Sequence, residues 1–201
     1  MSVAEPTAPP PPVAEDAPRR RMTLEEFHAL PEDPTVDREL IGGELWEEPV
    51  SKRNRRHSRA ETRIAFLLEQ WAETAGAAAG LVYSGEAGVD LPATGSGFGV
   101  DVIYFGPDHV AERDGEPYLI GPPTLAVEIV SPSDRIGKLW AKVADYHAAE
   151  TPVVWVVDPT WRTVQAHRPG AAPKTFAGTE EVTCEPELPG FRAACEKLFT
   201  R

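Results

Sequence analysis

Val100-Asp101-Val102-Ile103-Tyr104-Phe105 and, further along the chain, Leu125-Ala126-Val127-Glu128-Ile129-Val130 are the two stretches whose reading decides the fold. Each is a short apolar run rich in β-branched and aromatic residues, the pattern of a buried strand. Each also carries one carboxylate in its middle. An ionised carboxylate in such a run is costly unless it is paired or holds a cation. Two strands joined by a loop pair readily as neighbours, and Asp101 and Glu128 then converge at one end of a sheet. Converging hard oxygen ligands suit Mg²⁺ or Mn²⁺. A cation so held activates water and stabilises charge on a phosphodiester. The plain alternative is a carboxylate at a strand edge, hydrogen-bonded or solvated. For either residue alone that alternative is the better reading. For two in consecutive strands the readings stand level.

Outward from these strands, the order of elements predicts a mixed sheet flanked by helices. Thr23-Leu24-Glu25-Glu26 is a capping box, and Leu24, Phe27 and Leu30 give a short amphipathic helix closed by Pro31. Arg38 to Ile41 and Glu44 to Glu47 flank Gly42-Gly43 as a β-hairpin. Ala60, Ile64, Leu67, Leu68, Trp71 and Ala75 recur at helical spacing, with Arg56, Arg59 and Arg63 on another face and an end near Gly76. Leu81 to Ser84 and Val89 to Leu91 read as two strands, and Gly95-Ser96-Gly97-Phe98-Gly99 as a loop without the Gly-Lys-Ser/Thr ending of a phosphate loop. A polar loop is expected from Gly106 to Pro123. Pro132 breaks the second strand, and Ser133 or Asp134 caps a helix whose Ile136, Leu139, Trp140, Val143, Tyr146 and His147 share one face. Val153 to Val157 is a buried central strand, Asp158-Pro159 a turn, Thr163 to His167 a further strand, and Ala194 to Phe199 a last short helix. The class is α/β, with antiparallel and parallel pairs.

The 201 residues suit one domain, 22–201, after a Pro-rich, disordered tail over 1–21. No apolar run approaches the roughly 18 residues that span a membrane, and Met1 to Asp16 lack the basic start and apolar centre of a secretory signal, so a cytoplasmic location is expected. Cys184 and Cys195 fit neither a disulfide framework nor a zinc spacing. The balance of 20 basic against 32 acidic residues, net −12, disfavours non-specific nucleic-acid binding. Against this, Lys52, Arg53, Arg55, Arg56 and Arg59 cluster within eight positions, either as a phosphate-docking patch or, slightly favoured, as a solvated helix start.

Other candidates carry weaker signals. Lys142 sits at the edge of the apolar stripe of its helix, where it can snorkel to the sheet end and stabilise a pentacovalent phosphate, or simply lie solvated on the flank. His57, among the arginines, reads as a contact to phosphate or metal-bound water, or as an exposed residue. Glu44 is a candidate third acidic ligand that the sequence does not place in space. Tyr146 and Trp155 read as core aromatics. There is no nucleophile elbow, HExxH or paired CxxC.

Taken together, Met22-Thr23-Leu24-Glu25-Glu26-Phe27, Glu39-Leu40-Ile41-Gly42-Gly43-Glu44-Leu45, Val127-Glu128-Ile129-Val130-Ser131-Pro132-Ser133, Lys142 with Tyr146, Trp155-Val156-Val157-Asp158-Pro159 and Leu188-Pro189-Gly190-Phe191 resemble the Uma-two family of the PD-(D/E)xK nuclease superfamily. The resemblance runs from about Met22 to Phe199. It implies a restriction-endonuclease-like core and Mg²⁺- or Mn²⁺-dependent hydrolysis of DNA, with a homodimer as the assembly. It further implies that Asp101 and Glu128 fill the two acidic positions, that Lys142 replaces the lysine missing at Val130, and that Glu44 and His57 are secondary members. Arg53, Arg56 and Arg59 are the expected backbone contacts. Three departures stand out: Val100 replaces a common proline, Lys138 a common aspartate and Val153 a common glutamate. They keep open a non-catalytic module on the same fold that binds nucleic acid or a protein. RNA or small nucleotides are a third substrate class for the same carboxylates.

Overall fold

The structure, a computed structural model, describes residues 19–74, 80–107, 117–131 and 135–200. The expected tail (through residue 18), the helix end near Gly76, most of the loop after Gly106 and the cap at Ser133 or Asp134 lie outside the described residues.

Thr23 caps the first helix, α1 (Leu24–His28), through the reciprocal capping box with Glu26. The Gly42-Gly43 hairpin joins β1 (Val36–Ile41) to β2 (Glu44–Pro49), both glycines taking the positive φ that the turn requires. The long helix α2 (Arg55–Thr74) buries Ala60, Ile64, Leu68, Trp71 and Ala72, one stripe of period 3.6. At its start the Asn54 side-chain oxygen accepts from the amides of Arg56 and His57, 2.9 and 3.1 Å away.

Two expectations for the next segment are corrected. Leu81–Leu91 is one strand, β3, and not two: a bulge at Gly85 (φ 88°) and Glu86 (φ 62°) takes up the break in pattern while pairing continues on both sides. Of the glycine-rich stretch only Gly95 lies in the turn; Ser96 to Gly99 are not a loop but open β4 (Ser96–Phe105). A Cβ on Gly97 would stand 2.7 Å from Asp90 Oδ1 and 2.9 Å from Leu24 Cδ2, so glycine here lets α1 and β3 close on the strand.

The remaining elements are β5 (Leu119–Ile120), β6 (Leu125–Ile129), α3 (Ile136–Ala148), β7 (Val153–Asp158), β8 (Thr163–His167) and β9 (Lys174–Ala177). They are followed by a β10 (Glu181–Cys184) and β11 (Leu188–Ala194) hairpin and a 3₁₀ turn at Cys195–Leu198, where a short helix was expected. Among the described residues the main sheet runs β2-β1-β4-β6-β7-β8-β9, with β3 on the other edge of β4 and β5 beside β3. The β6–β7 pair, joined through α3, is parallel and its neighbours are antiparallel.

Strand alternation sends Leu125, Val127 and Ile129 to a face shared with α2 and the β10–β11 hairpin. Ala126, with Ile103, Val154 and Val156, packs instead under Leu139, Val143 and Tyr146 of α3. Ile136 and Trp140 do not belong to the buried face of α3, being 61% and 41% exposed; Lys142 takes a place in it.

Candidate active site

A strand has two hydrogen-bonding edges, and β4 gives one of them to β3. Its other edge is divided. Gly97 pairs with Leu40 of β1, whereas Val102 to Tyr104 pair with Val127 to Leu125 of β6. The sheet forks between these contacts. The antiparallel register places Asp101 opposite Glu128, one step beyond the last pair, Val102 with Val127. Opposed residues of an antiparallel pair project to the same side. The two carboxylates therefore meet at the fork, and Asp101 Oδ2 accepts the amide of Ile129 at 2.7 Å where the ladder has stopped.

A cavity of about 600 Å³ opens there. Asp101, Glu128, Lys142, His57 and Arg53 all line it, together with Glu39, Glu48, Glu86, Arg135 and Lys138. Its wall thus comes from β1, β2, β3, β4, β6, both long helices and the segment before α2.

Glu128 is buried, and both its oxygens are engaged from α3. Lys142 Nζ stands 2.8 Å from Oε1 and 2.9 Å from Oε2, and the Tyr146 hydroxyl donates to Oε1 at 2.7 Å. The two donors are one helical turn apart, so a single rigid element orients the carboxylate. Lys142 also donates to Gly99 O at 2.8 Å and lies 3.3 Å from Glu39 Oε1. Glu39 Oε2 in turn meets Lys138 at 2.8 Å, and Lys138 meets Glu48 Oε2 at 2.8 Å. The chain Glu128–Lys142–Glu39–Lys138–Glu48 alternates in sign throughout.

Burial pushes the Glu128 carboxyl up to about 7 against the pull of the Lys142 ammonium. Burial also pushes Glu39 up, but the charges of Lys142 and Lys138 outweigh it and hold that group below its ordinary value. For Lys142 the order is reversed. Burial disfavours its charge, yet Glu128 and Glu39 prevail and raise it well above the ordinary lysine value. Lys142 is therefore a permanent charge at ordinary pH, suited to electrostatic work and not to proton transfer. Tyr146, raised far by burial and by Glu128, stays a hydroxyl.

Asp101 faces α2. Arg53 Nη1 lies 2.5 Å and His57 Nε2 3.2 Å from its Oδ1. Burial opposes its charge, but the His57 hydrogen bond and charge, the Ile129 amide and Arg53 together keep its carboxyl below the usual range. His57 is buried, and its Nδ1 has no hydrogen-bond partner, with Glu61 Oε2 3.7 Å away. Ligand atoms of His57, Glu61 and Asp101 lie within 4.8 Å of one another.

The structure brings together Asp101, Glu128, Lys142, His57 and Arg53. It does not bring in Glu44, which opens β2 and pairs with Arg21 at 3.3 Å. Arg56 lines a separate hollow with Asn54, Arg55 and Thr160. Arg59 donates to Thr200 O at 3.0 Å, and so braces the C-terminal segment. Reasoning from sequence missed Glu39, Glu48, Glu61 and Glu86 and read Tyr146 as core only. His57 and Lys142 did carry a signal. His57 precedes Ala60 and Ile64 on the buried stripe of α2, and Lys142 sits inside the stripe of Leu139, Val143 and Tyr146.

A forked mixed sheet, a helix on each face and an opposed acidic pair with a lysine at the fork define a restriction-endonuclease-like nuclease fold. The chain belongs to the Uma2 family, described as "putative restriction endonuclease", whose profile matches residues 24–196. It is also similar to a crystal structure from Anabaena variabilis described as a "putative nuclease belonging to DUF820". That likeness has a TM-score of 0.75 at 19% identity and covers 89% of this chain and 97% of the other. No curated protein matches the sequence. None of the helices of the described residues is long and apolar enough to cross a membrane.

Proposed function

We propose that the protein is an endonuclease that hydrolyses phosphodiester bonds of DNA with the help of Mg²⁺ or Mn²⁺. The observation that carries this reading is the meeting of Asp101 and Glu128 at the sheet fork, in one cavity with Lys142. The donors present fit such a cation. Asp101, Glu128 and Glu61 are oxygen donors, the unpartnered Nδ1 of His57 is a nitrogen donor nearby, and six carboxylates line the cavity against four permanent cations. Asp101 and Glu128 would hold the ion, with His57 and Glu61 as neighbours able to complete the set. Bound there, the ion supplies Lewis acidity and a water of lowered pKa. Lys142 stabilises charge on the attacked phosphate, since its ammonium is fixed and does not lose its proton. Tyr146 and Glu39 hold Glu128 and Lys142 in register. Arg55 and Arg56, exposed at the start of α2 beside the cavity, contact the nucleic-acid backbone. The substrate is cytoplasmic DNA.

A second reading has support of its own. Both oxygens of Glu128 and both of Asp101 already have partners within the chain, as in a module that binds nucleic acid without cutting it. Incubation of supercoiled plasmid with pure protein in Mg²⁺, Mn²⁺ or EDTA separates the two. Nicking that needs a divalent cation and vanishes in Glu128→Gln is expected. Salt-sensitive DNA binding with no nicking by folded protein would replace the first reading with the second.

A further inference from the structure

We propose that Arg53 is a resident counter-cation of the acidic site, which a divalent cation displaces and so frees to bind a substrate phosphate; this rests on the metal-dependent reading above. Arg53 stands in the segment between β2 and α2, and its guanidinium lies among three carboxylates. Nη1 is 2.5 Å from Asp101 Oδ1 and 3.6 Å from Glu61 Oε2, and Nη2 contacts Glu86. Two of those three, Asp101 and Glu61, belong to the cluster of His57, Glu61 and Asp101. The guanidinium therefore rests on Asp101, one of the two carboxylates that would hold the ion, and on Glu61, which could complete its set.

The two lysines of the cavity are placed differently. Lys142 is buried and held by Glu128, Glu39 and Gly99, and Lys138 by Glu39 and Glu48. Neither contact set includes Asp101. The Arg53 side chain keeps 32% of its surface exposed and belongs to no helix or strand, so it can leave without unfolding an element. A divalent cation on Asp101 Oδ1 would stand close beside the guanidinium, repel it and compete with it for the same carboxylate charge, so each weakens the hold of the other. A planar guanidinium forks onto phosphate as well as onto carboxylate. Once expelled toward the cavity mouth, it meets an anion that the acidic lining otherwise repels. Binding of metal and of phosphate are thereby linked: the ion is opposed by Arg53 until a phosphate takes it.

The test is calorimetric titration of Mn²⁺ alone into the parent protein, Arg53→Gln, Arg53→Ala and Asp101→Asn. Both Arg53 variants are expected to bind Mn²⁺ at least about fivefold more tightly than the parent, since a repelling charge has gone. The glutamine, polar but neutral, shows that charge decides and not bulk. A second readout is anisotropy of a short DNA duplex in Ca²⁺ and in EDTA. The parent gains affinity with Ca²⁺, and Arg53→Gln loses most of that gain. Mn²⁺ affinity unchanged or weakened in both Arg53 variants, with binding still abolished in Asp101→Asn, overturns this proposal and leaves the metal site standing. No Mn²⁺ binding by any of the proteins overturns both.

Discussion

Replacing Lys142 with methionine keeps the length and most of the volume of the side chain and removes its charge. The lost ammonium lies 2.8 and 2.9 Å from the oxygens of Glu128 and 3.3 Å from Glu39, and its side chain is only 6% exposed. Glu39 keeps Lys138, so the loss falls chiefly on Glu128, which keeps only the Tyr146 hydroxyl. Removing one partner of a buried ion pair costs roughly 3–5 kcal/mol. For a domain of this size that corresponds to a fall in Tm of about 6–20 °C. The variant's deficit should also depend on pH. In the parent, burial already pushes Glu128 from 4.5 to about 7. Between those values the folded state binds a proton that the unfolded state has released, so Glu128's contribution to stability falls as pH rises. Without Lys142 the folded value climbs further and the window widens upward. The gap between parent and variant should accordingly be smaller near about pH 5 than near about pH 8. Thermal unfolding followed by circular dichroism at both pH values measures it, and Lys142→Met combined with Glu128→Gln should recover part of the loss. An equal deficit at both pH values, or no recovery in the double variant, would refute the reasoning.

Other consequences are smaller or more local. Tyr146→Phe removes one hydrogen bond to a buried carboxylate and should cost roughly 1.5–3 kcal/mol by urea denaturation, with the fold retained; a loss within error would mean that Lys142 alone holds Glu128. Gly97→Ala places a methyl against Asp90 and Leu24 and should cost about 1–3 kcal/mol; an unchanged midpoint would show that α1 can move aside. Cys184 is buried, and burial pushes its thiol up to about 12, while Cys195 is buried and raised too. Neither should react with a thiol reagent near neutral pH until the chain is unfolded, and rapid labelling of native protein would contradict the packing of the β10–β11 hairpin.

Much of the architecture is readable locally. The capping box at Thr23, the Gly42-Gly43 turn, the stripes of α2 and α3 and the apolar runs of β6 and β7 each report a short-range preference that the packing reinforces. The errors arise where a distant segment decides. Gly95 to Gly99 looks like a loop because its glycines lack side chains to pack, yet that lack is what lets α1 and β3 approach. The Gly85-Glu86 bulge divides a strand that pairing keeps whole. For the site, Asp101 and Glu128 were legible because a charge in an apolar run is anomalous wherever it lies. Glu39 was not, because a glutamate in a hairpin is ordinary until β1 joins the divided edge of β4 and turns it toward Lys138 and Lys142. Lys138 reads as a charge reversal in one dimension and as a partner of Glu39 and Glu48 in three. The basic residues before and along α2 are likewise divided. Arg53 turns into the cavity, and Arg59 and Arg63 brace the C-terminal segment through backbone carbonyls.

The proposed activity requires a divalent cation held at the sheet fork, and anomalous diffraction from crystals grown with Mn²⁺ tests that most directly. The predicted result is one strong peak within coordination distance of Asp101 and Glu128, absent from crystals of Asp101→Asn. A map without a peak in the cavity at saturating Mn²⁺, from protein whose fold matches the one described, would contradict it.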